Sequence, residues 1–311
     1  MNETKIQILL KNYILHIKDV LNYSPNTLTS YKRDLNSFDN YCKKYNISEI
    51  SSIDEKVVRD FIASLHRNGI SPKSIKRYLS SLRGFFNFLS KQKYISKNLA
   101  ENVRSPKAEK NLPEILQHKD IDLLADINNK KEGYYKNNDL LSRDIAMFEL
   151  FYSSGLRLSE LANTKISNIN FNESIIRITG KGNKTRIVPI GSQAVKTINS
   201  WINFREKYVK DSSDFLFVGL SGKPLSTRNI QLRMSYLAKA SGVEQNLYPH
   251  KLRHTVATHL LESSGNIRAV QEFLGHENIS TTQIYTHLDN QYLMNVYDKV
   301  HPRSKKTLKK E

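Results

Sequence analysis

The sequence predicts a mainly α-helical chain of two domains with one small antiparallel β-sheet. Apolar residues recur at three- and four-residue steps through most of its length. β-Branched residues flank one turn rich in glycine and lysine, and a polar stretch around residue 105 separates two such regions. At 311 residues the chain is long enough for two modest domains of roughly 100 to 200 residues each. With 39% hydrophobic residues, 12 Gly and 8 Pro, it has the composition of a chain that buries cores, which excludes a collagen-like or wholly disordered protein.

The first hundred residues read as punctuated helices. Ser24-Pro25 opens a segment in which Leu28, Tyr31, Leu35, Phe38 and Cys42 share one face. Asp54 starts a second helix through Val57, Phe61 and Leu65 that stops at Gly69, placed as a C′ glycine. Ser71-Pro72, an N-cap followed by proline at the first helical position, starts a third. Projected at about 100° per residue, this helix puts Ile75, Leu79, Leu82, Phe86 and Leu89 on one side and Lys73, Lys76, Arg77 and Arg83 on the other, with Ser80 and Gly84 among the cations. Small residues there would let a phosphate strand approach the backbone, so the face is expected to bind DNA; an ordinary solvated face is the plain alternative. From Asn98 to Leu112 the apolar period lapses, as in a linker.

The second half resumes as helices around Ile121, Leu124 and Ile127, then around Ile145, Phe148, Leu150 and Tyr152. Ile175, Ile176 and Ile178, the turn Gly180-Lys181-Gly182-Asn183-Lys184, and Ile187, Val188 and Ile190 predict a hairpin, with Pro189 placing its second strand at an edge. Beyond Ser226 the pattern is helical again.

The 48 Lys and Arg against 30 Asp and Glu give a net charge of +18, shared equally between residues 1–105 and the remainder. Such a surplus favours a polyanion, because neutralising phosphates releases condensed counterions; nucleic acid leads, and an anionic membrane surface comes second. No uncharged apolar run approaches the roughly 18 residues that span a bilayer, so a soluble, cytoplasmic protein is expected. The single cysteine, Cys42, rules out an intrachain disulfide and reads as a core residue.

Four places carry candidate chemistry. Arg157 follows Gly155-Leu156 where an apolar helix restarts, and Glu160 stands three residues on as a partner for an ordinary surface pair. Lys181 and Lys184 sit on the hairpin turn. His250 and Arg253 share a helical face, and His254 and His259 follow them; a zincin pattern needs Glu after the first histidine, where this chain has Lys251. Finally His276, in Leu274-Gly275-His276, precedes Tyr285 by nine residues. Two arginines, a lysine, two histidines and a tyrosine form a metal-free set for attack on a phosphodiester. The planar forks of Arg157 and Arg253 suit nonbridging oxygens, Lys181 suits protonation of the leaving alkoxide, and Tyr285 is the candidate nucleophile. No Walker loop is present, and an exchange through a covalent ester needs no cofactor.

These residues resemble the motifs of the tyrosine recombinases. The match lies in Gly155-Leu156-Arg157, Gly180-Lys181-Gly182, His250-Lys251-Leu252-Arg253-His254, Leu274-Gly275-His276 and the run Thr281-Thr282-Gln283-Ile284-Tyr285-Thr286-His287. The resemblance implies a helical core-binding domain over 1–105, a linker over 106–112, a catalytic domain over 113–300 and a basic tail over 301–311. It also implies that Tyr285 forms a 3′-phosphotyrosyl link, that Arg157 and Arg253 clamp the phosphate, and that His250 and His276 support charge and proton transfer. Lys181 is then the acid, and strands exchange through a Holliday junction. Within the family the chain looks most like the Xer branch, a resemblance that implies a dif-like duplex site, a heterotetramer with a XerD-like recombinase and an FtsK-like translocase. A mobile-element integrase and an inactive DNA-binding relative remain as alternatives.

Overall fold

The computed structural model describes residues 5–107, 115–127, 135, 137–180, 185–209, 213–245 and 247–274. It divides the chain into two compact units, Met1–Asn111 and Leu112–Glu311.

Among the described residues of the first unit stand four α-helices: α1 (Lys5–Asp19), α2 (Pro25–Lys44), α3 (Glu55–Arg67) and α4 (Pro72–Lys91). Their starts follow the local chemistry of the sequence. Ser24, Asp54 and Ser71 each accept a hydrogen bond from the backbone N–H three residues on, and Pro25 and Pro72 occupy the first helical position. Gly69, at φ +75°, follows the end of α3 in the left-handed conformation. The apolar faces of all four helices meet in one core, where the Phe38 ring lies 5.2 Å from that of Phe61 and 6.0 Å from that of Phe86. Cys42 is fully buried there, and burial pushes its thiol pKa up to about 12, so the sulfur is inert packing.

Two expectations for this unit change. Gly84 does not open the basic face to a phosphate strand: a Cβ at this position would collide with the Tyr13 hydroxyl, so the glycine admits α1. The polar stretch after Asn98 is also partly core, since Ala100 and Val103 are buried with the helices. Arg83 fastens it, with Nε donating to the Ala100 carbonyl at 3.1 Å and Nη2 to that of Val103 at 2.7 Å.

The second unit is organised around α6 (Asn138–Ser154), which is buried on every side from Arg143 to Ser154. Around it stand α5 (His118–Ala125), α7 (Leu158–Ala162), α8 (Ser192–Arg205), α9 (Thr227–Ser241), α10 (Pro249–Ser264) and α11 (Ile267–Leu274). Strands β1 (Ile169–Asn170), β2 (Ile175–Thr179) and β3 (Thr185–Pro189) form an antiparallel sheet in the order β1-β2-β3. β3 is therefore the edge strand that Pro189 requires. β1 is an addition to the expected hairpin; two residues are too few to show a strand period.

In the β2–β3 register Ile176 faces Val188 and Ile178 faces Arg186. Ile176, Ile178 and Val188 are core residues, so this face of the hairpin looks inward and carries one cation, Arg186. Asp144 on α6 is fully buried and holds α9 in place. Arg143 donates to its Oδ1 at 2.8 and 3.0 Å, while Arg233 of α9 and the Tyr135 hydroxyl donate to its Oδ2 at 2.6 and 2.8 Å. None of the described helices is long and apolar enough to cross a membrane.

Candidate functional site

The site forms where α6 ends. Gly155 caps this helix at φ +54°, a left-handed conformation that glycine adopts without strain. A Cβ there would also stand 2.7 Å from Leu274 Cδ2, so the glycine serves the close approach of α11 as well. With the chain turned, Arg157 lies at the N-terminus of α7, and its backbone N–H and Nη1 donate to the Glu160 carboxylate at 2.7 and 3.0 Å.

Arg253 arrives from α10. Its Nη1 donates to the Gly155 carbonyl and its Nη2 to the Leu274 carbonyl at 2.5 Å. It thereby ties the ends of α6 and α11 to the middle of α10, and the two arginines, 96 positions apart, come to one place. Burial pushes the Arg253 pKa down to about 10, and the nearby positive charge of Arg157 acts in the same direction. Two guanidinium groups gathered in a partly desolvated corner form a ready anion site.

Arg186 joins them from β3, with Nη1 and Nη2 each 2.8 Å from a different oxygen of Glu160. Glu160 thus accepts from two arginines and a backbone amide. Burial would raise its pKa, but the hydrogen bonds from Arg186 and from the Arg157 backbone outweigh that, and it falls to about 2. Sequence reasoning placed Glu160 beside Arg157 but missed Arg186. The available signal was strand alternation, which sets Arg186 on the same inward side as Val188.

His250 and His254 are exposed on α10, whereas His259 is buried. Its Nδ1 lies 2.8 Å from the Tyr152 hydroxyl, and its ring stacks on that of His118 at 4.0 Å. His259 thus turns into the core, away from the exposed side of α10 that His250 and His254 occupy. His118, His259 and Glu262 bring ligand atoms within 4.8 Å of one another, yet the two imidazoles lie 20° from parallel. Stacked rings aim their lone pairs along neighbouring lines instead of toward a common point. Lys181, Lys184, His276 and Tyr285 lie outside the described residues.

In the first unit Lys73 and Lys76 are exposed on α4. Arg77 is engaged with Asp34, which is buried, through bonds of 2.7 and 2.8 Å, and Arg83 holds the two carbonyls named above.

Residues 114–292 match the phage integrase family, and residues 10–93 match the SAM-like N-terminal domain of phage integrases. The tyrosine recombinase XerC of Pseudomonas syringae pv. syringae is 42% identical over 96% of this chain and 97% of its own length. XerC of Escherichia coli O139:H28 is 39% identical over 97% and 99%. Among solved structures, the XerH site-specific recombinase bound to a palindromic difH substrate in a post-cleavage complex superposes with a TM-score of 0.70. It is 25% identical, over 94% of this chain and 84% of that one. A λ integrase dimer on a core site, at 17% identity and a TM-score of 0.67, shares the fold. With the two arginines and their carboxylate assembled at one corner, and with likeness along nearly its whole length to XerC recombinases, the chain belongs to the phage integrase family of tyrosine site-specific recombinases.

Proposed function

We propose that the chain cuts and rejoins a dif-like duplex site through a phosphotyrosyl ester, with Arg157 and Arg253 as the phosphate clamp. The convergence of these two arginines on the corner formed by Gly155, Glu160 and Leu274 carries the reading. Tyr285 Oη attacks the scissile phosphorus, a bond to the 3′ side persists, and the bond to the 5′ oxygen breaks. Lys181 gives the departing oxygen its proton, while His250 and His276 assist charge and proton transfer at the phosphate. Attack by the partner strand's 5′ hydroxyl reverses these steps and yields the Holliday junction. By likeness to XerC, the partner is a XerD-like recombinase in a heterotetramer acting under an FtsK-like translocase, and the role is chromosome dimer resolution in the cytoplasm at cell division.

The acid role is tested with a bridging 5′-thio substrate, whose thiolate leaves without protonation. Lys181→Ala is expected to slow cleavage of an ordinary nicked duplex by about 10²- to 10⁴-fold. On the thio substrate it is expected to approach the wild-type rate; lack of rescue removes Lys181 from this role.

DNA contact by α4 rests on Lys73 and Lys76. Replacing both by Gln is expected to flatten the log–log dependence of binding on salt by roughly one unit per lost phosphate contact. An unchanged slope makes this face merely solvated. Arg77 is unsuited to the experiment, because removing it strands the buried Asp34 carboxylate.

A further inference from the structure

We propose that Arg186 is a positioning residue for cleavage: it compensates the charge of Glu160, so that the carboxylate bracing Arg157 does not repel the scissile phosphate. The inference rests on the proposed clamp and concerns how that clamp is kept electrostatically attractive.

Glu160 holds Arg157 by two contacts, one to the backbone N–H and one to the guanidinium. A carboxylate has about four acceptor positions, and the two remaining are taken by Arg186 as a parallel two-point pair. Without Arg186 the brace would be an Arg–Glu pair of zero net charge. An anionic phosphate approaching Arg157 would meet a buried carboxylate within the same few ångströms, and the two anions would compete for one fork. With Arg186 present, the Arg157–Glu160–Arg186 group is net positive by one, and Arg253 adds a second charge.

Arg186 is well placed for this task. It stands on the inward side of β3, with only 15% of its side chain exposed. Its Nε is buried and has no hydrogen-bond partner among the described residues, so its side-chain bonds in the described structure all go to Glu160. A buried, unsatisfied N–H is a cost, and the two-point pair on Glu160 is what offsets it.

The test is a double-mutant cycle on full-length protein, read as the initial rate of covalent-complex formation on a nicked suicide duplex at saturating protein. Arg186→Met is expected to slow this step by roughly 10²- to 10³-fold, the size of one uncompensated charge about 4 to 6 Å away at an effective dielectric near 20. Adding Glu160→Gln to it should return the rate to within about threefold of Glu160→Gln alone, since no carboxylate is left to compensate. Arg186→Lys, which keeps the charge without the fork, should fall between wild type and Met. A duplex with a neutral methylphosphonate at the scissile position gives a second readout. Relative to wild type on that substrate, the Arg186→Met defect should shrink to a few-fold, because the phosphate no longer carries the charge.

Additive losses in the double variant, or equal defects on charged and neutral substrates, overturn the proposal and leave Arg186 a packing residue. If Arg186→Met does not fold, Arg186→Lys and the double variant are compared in the same way. If wild type forms no ester, or if Tyr285→Phe still does, the underlying clamp reading fails instead.

Discussion

Replacing Tyr285 by Phe is expected to abolish the covalent protein–DNA complex while leaving DNA affinity unchanged. The substitution removes one oxygen, which is the atom proposed to become bonded to phosphorus, and changes little else in size or polarity. A phenol with a free pKa of about 10 is a weak nucleophile at neutral pH and depends on neighbouring cations or a base. Of the six residues proposed for the site, Arg157, Lys181, His250, Arg253, His276 and Tyr285, only the tyrosine bears a hydroxyl. Affinity resides elsewhere, in the many phosphate contacts available to a chain of net charge +18. A gel resolving covalent from noncovalent complexes on a nicked suicide duplex checks both halves at once. A trapped ester in the Phe variant would refute Tyr285 as the nucleophile.

Arg253→Ala carries the next largest expected effect, and it has two separable components. Loss of a preorganised donor facing developing negative charge costs about 10²- to 10³-fold in rate, and a two-point arginine stands at the upper end or beyond. The side chain also donates to the Gly155 and Leu274 carbonyls, so its removal loosens the junction of α6, α10 and α11. Cleavage is therefore expected to fall by at least about 10²-fold, together with a lowered melting temperature. Arg253→Lys separates the components, because a lysine keeps the charge and reaches at most part of the tether but cannot present a fork. A Lys variant with full cleavage activity would show that charge alone suffices. Anion binding should oppose the mutual repulsion that, with burial, depresses the Arg253 pKa. Sulfate is therefore expected to raise the melting temperature of wild type more than that of Arg253→Ala.

Much of this molecule was legible before its coordinates. The helices of the first unit follow from apolar spacing and from three side-chain caps, which are local effects acting over three or four residues. The β2–β3 hairpin was legible for the same reason, since β-branched alternation and the edge proline act along one short stretch. The motif residues around Arg157 and Arg253 could be recognised as types in a pattern, yet their partners could not. Gly84 looked like a door for DNA because sequence spacing places it among cations, while its actual neighbour, Tyr13, lies 71 positions away. Arg77 and Arg83 looked free for phosphates for the same reason, and each has a partner inside its own unit.

Element types, the separation into two basic units and the kind of chemistry follow from local stretches of chain, because propensity, capping and residue identity are properties of short segments. Which charges meet depends on how distant segments pack. Glu160, Arg186 and Arg253 stand on α7, β3 and α10, and what brings them together is the burial of α6 and the left-handed turn at Gly155. Burial then makes their charges more strongly felt, since an ion pair or a repulsion is about fourfold stronger at an effective dielectric near 20 than in water.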